Sequence, residues 1–269
     1  MKHGICKMCL LEKDLVLSHL MPKALYAYCY KDEHRPIKYG DGFLLPTDRQ
    51  TKDYLLCKDC EDILNKGGES WITDKLATWE RTFPLYDMLT KLPADFDEDG
   101  MMVYFAAKNP EIKVDKLTHF ALGLFWKASV HPWKGGRTEP RIELGPYSED
   151  IRKWLIGEGD LRENVYIIAA VERPERAQIA INDPYEGMHS GYRSFFVHVP
   201  GLFFMLAVGK TVDESMRWLC IHHNPGNPIN ISDGLTNSYE QLMARTVQGA
   251  RKTNAFLKAK AKAEGARRK

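Results

Sequence analysis

Two cysteine pairs of identical spacing, Cys6-x-x-Cys9 and Cys57-x-x-Cys60, constrain what this 269-residue chain can fold into more than any other feature. A C-x-x-C knuckle turns two thiolates toward one point, and two knuckles supply the four ligands of a tetrahedral zinc ion. A four-thiolate site has no open position, so the zinc expected on Cys6, Cys9, Cys57 and Cys60 is structural. The 47 residues between Cys9 and Cys57 leave room for an inserted module. Apolar residues in positions 1–70 come in short runs between polar loops, too few for an independent core. A metal would hold such a segment together.

Composition narrows the class. With 44% hydrophobic and 28% charged residues, the chain is globular rather than disordered or collagen-like. No run reaches the ~18 apolar residues of a membrane helix. The longest candidate, "FFVHVPGLFFMLAVG", is broken by Pro200 and Gly201 and reads as two buried strands about a turn. The N-terminus has no apolar secretory core, so a cytoplasmic location is expected, where disulfides are disfavoured. Cys29 and Cys220 stand outside the pairs and read as small buried hydrophobes.

Charge is unevenly distributed. From Gln241 to Lys269 there are nine lysines and arginines against one glutamate, a net +8, which leaves −6 for the remainder of a chain of net +2. A basic helical tail of this kind suits nucleic acid phosphates, with Arg251, Lys252, Lys258, Lys260 and Lys262 as contacts.

The chain reads as α+β in three parts. Residues 1–95 form a zinc-ribbon module with a helical extension, 96–240 a mixed domain with an antiparallel sheet, and 241–269 the basic tail, closing the chain as one helix. In the first part, residues 31–53 are an inserted loop or hairpin. Gly67 and Gly68 end a brief helix after the second knuckle, and Ser70 caps the next. In the second, "LTHFALGLFWKASVHP" is too apolar for a surface helix and reads as the centre of a core. "ENVYIIAAVE", "RAQIAIND" and the two halves of the Pro-Gly run supply strands. His222 and His223 beside Cys220 invite a metal reading. On a strand, however, adjacent side chains point to opposite faces, which favours a surface role. Trp126, Trp133, Trp154 and Trp218 read as core residues.

Between the knuckles, "LSHLMPK" places Ser18 and His19 at the end of a short apolar strand, just before Pro22 and Lys23. With C-x-x-C before it and C-x-x-C-Glu after it, this segment resembles the zinc-ribbon branch of the HNH (ββα-metal) endonucleases over roughly residues 5–70. The resemblance implies a metal-dependent endonuclease acting on nucleic acid, with DNA favoured over RNA. His19 would be the general base, and Glu61 and Asn65, at i and i+4, would hold a Mg²⁺ or Mn²⁺ ion, with Glu69 a further candidate whose direction Gly67 and Gly68 leave open. Lys23 would face the phosphate backbone. Two positions depart from the family pattern. Ser18 stands where the acidic residue before the histidine is usual, and Glu61 where Asn or His is usual. These departures keep open a second reading, a non-catalytic zinc module that binds nucleic acid or a protein partner.

Overall fold

A computed structural model describes residues 2–30, 37–40, 43–47, 49–133, 139–189, 192–209 and 214–266. Strand β1 (Lys2–Ile5) leads through the first knuckle into β2 (Glu12–His19), and α1 (Lys23–Tyr28) follows the turn at Pro22. The inserted segment contains a hairpin of β3 (Ile37–Gly40) and β4 (Phe43–Pro46). Strand β5 (Lys52–Cys57) then returns antiparallel to β2 and runs directly into α2 (Lys58–Leu64). The order β1-β2-β5 makes a three-stranded sheet with α2 issuing from its last strand. Leu55 is an extra residue on β5 between the Leu17–Tyr54 and Val16–Leu56 pairs. A bulge of this kind re-aims neighbouring side chains.

The glycine pair does not end the helix after the second knuckle. Residues 65–69 continue α2 as a wider π turn, and α3 (Ser70–Ile72) follows without a cap hydrogen bond from Ser70. The reason is packing against the later helix α5 (Val114–Val130). A Cβ on Gly67 would lie 2.1 Å from the His119 ring, and one on Gly68 only 2.3 Å from the Lys116 carbonyl oxygen. Glycine is needed here for close approach, not for chain reversal.

Helix α4 (Pro84–Leu89) leads to β6 (Phe96–Glu98) and β7 (Met101–Phe105), the first strands of the large sheet. After α5 come α6 (Tyr147–Leu155), β8 (Val165–Val171), β9 (Asn182–His189), β10 (Tyr192–Val199) and β11 (Leu202–Val208). Next are α7 (Glu214–Leu219), β12 (Pro228–Ser232) and α8 (Asp233–Gly249). The sheet order is β6-β7-β12-β8-β11-β10-β9, antiparallel except for the parallel pair β12–β8. The Pro-Gly run forms the β10–β11 hairpin as expected, with Gly201 at φ +77° in its turn.

"RAQIAIND" does not form the expected strand, because pairing begins only at Asn182. Before it, the buried Glu172 carboxylate accepts the Gln178 N–H at 2.6 Å and Arg176 N–H turns back to the Arg173 carbonyl. These bonds hold the segment as a loop. Trp126 and Trp133 are fully buried, but Trp218, on α7, is 39% exposed and lies edge-on to Phe96 and Phe105.

Helix α5 is buried on almost every face, which fits its apolar sequence. Phe120 meets Phe204 of the large sheet edge-on, while Gly123 faces Leu64 of α2. One buried apolar cluster accordingly runs from Cys6 to Ile231. Helix α6 grips the first knuckle. Arg152, held by two bonds to Glu149, donates to the Met8 carbonyl at 2.5 Å.

The basic tail is not one helix. After Gly249 the chain becomes extended, β13 (Arg251–Lys252) pairs in parallel with β4, and α9 (Asn254–Ala266) follows. Leu44, Ala250 and Phe256 bury one another there. The apolar strand in the insertion needs a cover, and the poor helix former Gly249 lets the chain provide it. No helix among the described residues is long and apolar enough to cross a membrane.

Candidate metal centre and the residues around it

The two knuckles meet. The sulfur atoms of Cys6, Cys9, Cys57 and Cys60 all lie within 4.8 Å of one another, and Cys9 Sγ is 3.9 Å from Cys57 Sγ. Zinc–sulfur bonds of about 2.3 Å in a tetrahedron place ligand sulfurs about 3.8 Å apart, so this spacing fits the ion. The Cys57 N–H donates to Cys6 Sγ at 3.3 Å, the outer-shell bond that stabilises a thiolate. A thiol hydrogen bond from Cys60, with backbone N–H groups, holds the Cys6 thiol low against its burial, while Cys60 itself is pushed up. The four-cysteine cluster can therefore hold a zinc ion.

The joint of β2, β5 and α2 sets Ser18 and Glu61 beside this cluster, with His19 at the end of β2. Ser18 is buried, accepts the Leu56 N–H at 3.2 Å and donates to the Glu61 carboxylate. Ser18 thus positions the carboxylate on α2. Glu61 Oε1 is buried and has no hydrogen-bond partner. Burial lifts the Glu61 carboxyl above its usual range. Lys127 and the Ser18 bond pull it back, and the nearby Glu69 adds to the rise.

His19 closes β2 opposite Lys52. Its Nε2 is buried without a partner, so the bond with Gln50 is made through Nδ1. That bond favours the protonated ring, hence Gln50 accepts. The tautomer with Nδ1–H leaves a lone pair on Nε2. Burial, followed by the charges of Lys52, Lys127 and Lys23, holds this imidazole below its ordinary pKa. Lys23 and Lys52 are exposed.

One participant, Lys127, was not expected from the sequence, whereas Glu69 was a further candidate there. Lys127, 2% exposed on α5, donates to Glu69 Oε1 at 2.9 Å. Glu69 lies eight residues after Glu61, about 80° away on a regular α-helix. A π turn takes more residues per turn, which carries Glu69 back toward the Glu61 side. Asn65 stands where the α-helix passes into the π turn, and it is exposed. The oxygen donors Glu61, with its orphan Oε1, and Glu69 suit a hard divalent ion by chemistry. Among the described residues, however, they and His19 do not form a cluster as tight as that of the cysteines.

Of the tail residues, Arg251 and Lys252 lie on β13 and Lys258 and Lys260 on α9, all with exposed side chains. Lys262 is also on α9, but its side chain falls outside the described residues. Cys220, His222 and His223 form a second tight cluster. The expectation that the two histidines diverge fails because residues 221–223 form a turn rather than a strand. No protein-family model, curated protein or solved structure matches the chain at a significant level.

Proposed function

We propose that the chain is a metal-dependent nuclease of the HNH type, with DNA as the favoured substrate and the zinc as its structural brace. One observation carries this reading. An imidazole whose buried Nε2 has no partner lies under the charges of three lysines, and one of these, Lys127, also acts on a carboxylate with an unpartnered oxygen. Buried polar atoms without partners call for a water, an ion or a substrate. A phosphodiester brings negative charge, which Lys23 and Lys52 would attract and Lys127 would help to balance. His19 Nε2 takes the proton of the attacking water, and Gln50 keeps the ring in the tautomer that can do so. Ser18 orients Glu61. A Mg²⁺ or Mn²⁺ ion on Glu61 and Glu69, when bound, would neutralise charge on the leaving oxygen. Glu69 replaces the exposed Asn65 as the second oxygen donor in this reading.

The test is cleavage of supercoiled plasmid by the full chain with and without Mg²⁺ or Mn²⁺. His19→Ala should lower the rate by at least ~10²-fold, the usual contribution of a general base, and leave zinc content unchanged. The acid limb of the pH profile should lie below the ordinary histidine value of about 6.5, since burial and lysines depress His19. Undiminished cleavage by His19→Ala would make the histidine a packing residue. No cleavage by the parent with either ion would favour the non-catalytic zinc module, in which the Lys127–Glu69 pair already neutralises the pocket.

A further inference from the structure

Residues 220–223 link α7 to the approach to β12, and several bonds fix their path. Ile221 N–H donates to the Ile167 carbonyl at 2.9 Å and Asn224 N–H to the Cys220 carbonyl at 3.2 Å. The Asn224 and Asn227 side-chain amides donate to the Trp218 and Ile221 carbonyls, each at 2.7 Å. A turn pinned in this way holds its side chains in place before any ligand arrives.

We propose that Cys220, His222 and His223 form a second metal site, of the zinc class, distinct from the four-cysteine cluster. Their ligand atoms all lie within 4.8 Å of one another. Cys220 Sγ is 3.3 Å from His222 Nδ1 and 3.9 Å from its Nε2. Tetrahedral zinc with bonds of about 2.3 Å to sulfur and 2.0–2.1 Å to nitrogen separates such ligands by about 3.6 Å. The two rings lie together, with centroids 4.1 Å apart. A second observation points the same way. His223 Nε2 lies 3.0 Å from the Val165 carbonyl, to which only Nε2–H can donate, so Nδ1 keeps its lone pair. An N–H anchored on a backbone carbonyl is the usual outer-shell support of a metal-binding histidine.

One thiolate and two imidazoles suit zinc or a similar borderline ion and not magnesium or calcium. Cys220 is fully buried, while both histidines are half-buried, so an ion can reach the site from their side. Three protein ligands leave the fourth position to water or to an incoming group. The four-cysteine cluster has no such position. The second site can therefore exchange a ligand, whereas the first can only hold the fold.

Zinc bound to the full-length protein is counted after equilibrium dialysis against micromolar Zn²⁺, beside Cys220→Ser, His222→Ala and His223→Gln. The parent should hold one equivalent more than each variant. Because Cys220 is buried and its variant could misfold, the two histidine variants are decisive. Their circular dichroism and melting behaviour should match the parent. With Co²⁺ in place of Zn²⁺, the parent should show thiolate-to-cobalt absorption that falls in part in the histidine variants and leaves the four-cysteine share. Equal metal content in the parent and both folded histidine variants overturns the proposal.

Discussion

Replacing Glu61 with glutamine separates stability from function at one atom pair. The side chain keeps its shape and loses its charge. An unpartnered buried polar group costs roughly 1–3 kcal/mol, and a charged one more. Here Lys127 and Ser18 offset part of that penalty, but burial is the largest influence on the group. The net gain of Glu61→Gln at pH 7.5 is then about 1 kcal/mol, or about 2 °C in melting temperature for a chain of this size. Its pH dependence fixes the cause. A carboxyl with a raised folded pKa stabilises the fold fully below its unfolded value of about 4.5. That contribution is lost as pH rises through the folded value. The gain from Glu61→Gln should therefore shrink as pH is lowered from 7.5 toward 5. Thermal melts at several pH values read both effects, and Mg²⁺ or Mn²⁺ should raise the melting temperature of the parent but not of the variant. A lower melting temperature at pH 7.5, or a gain independent of pH, would refute the reasoning.

Further expectations concern the frame. Gly68→Ala should destabilise by about 2–3 kcal/mol, since its Cβ meets backbone atoms of α5 that cannot turn aside. Gly67→Ala should cost less, because its Cβ meets the His119 ring, and urea melts that rank them in the opposite order would be evidence against the close-packed π turn. Cys57→Ser should lose its zinc and unfold the N-terminal module, seen as early protease cleavage within residues 1–70. A folded variant with full zinc would sink the structural role. Neutralising Lys252, Lys258 and Lys262 to glutamine should weaken DNA binding and flatten its salt dependence by up to about 0.9 log units per lost phosphate contact. An unchanged slope would remove the tail from the interface. Substitution is the right perturbation here, because truncation at Gln241 would also remove Phe256 and β13 from their packing on β4.

The cysteine cluster was legible because a C-x-x-C knuckle is local chemistry, and two knuckles name one another whatever the intervening length. The buried Pro-Gly hairpin was legible for the same kind of reason. What escaped were consequences of close approach between distant segments. Gly67 and Gly68 read as a helix stop because a glycine pair usually is one. Only the facing helix α5 makes them an interior feature, and with them the direction of Glu69, which the glycines had left open. Likewise, Ser18 looked like a lost ligand, whereas its bonds to Leu56 and Glu61 make it a support for that carboxylate.

Lys127 is the instructive case, since its anomaly was visible. In "ALGLFWKASV" a lysine sits in a helix with apolar residues on every side, so no face of that helix leads to water. An ammonium there must either lose its proton or find an anion. The only anions available to it are side chains on whatever packs against α5. A charged residue in a helix apolar all round is thus a prediction about its neighbour. The neighbour here is the carboxylate pair on the π-turned helix that leaves the zinc knuckle. The same lysine joins the two halves of the chain electrostatically. Glu69 pairs with it, and its charge favours the ionised form of Glu61 and the neutral form of His19, in both cases behind the larger effect of burial. One buried cation thus biases a carboxylate and an imidazole in opposite senses, toward charge in the first and away from it in the second.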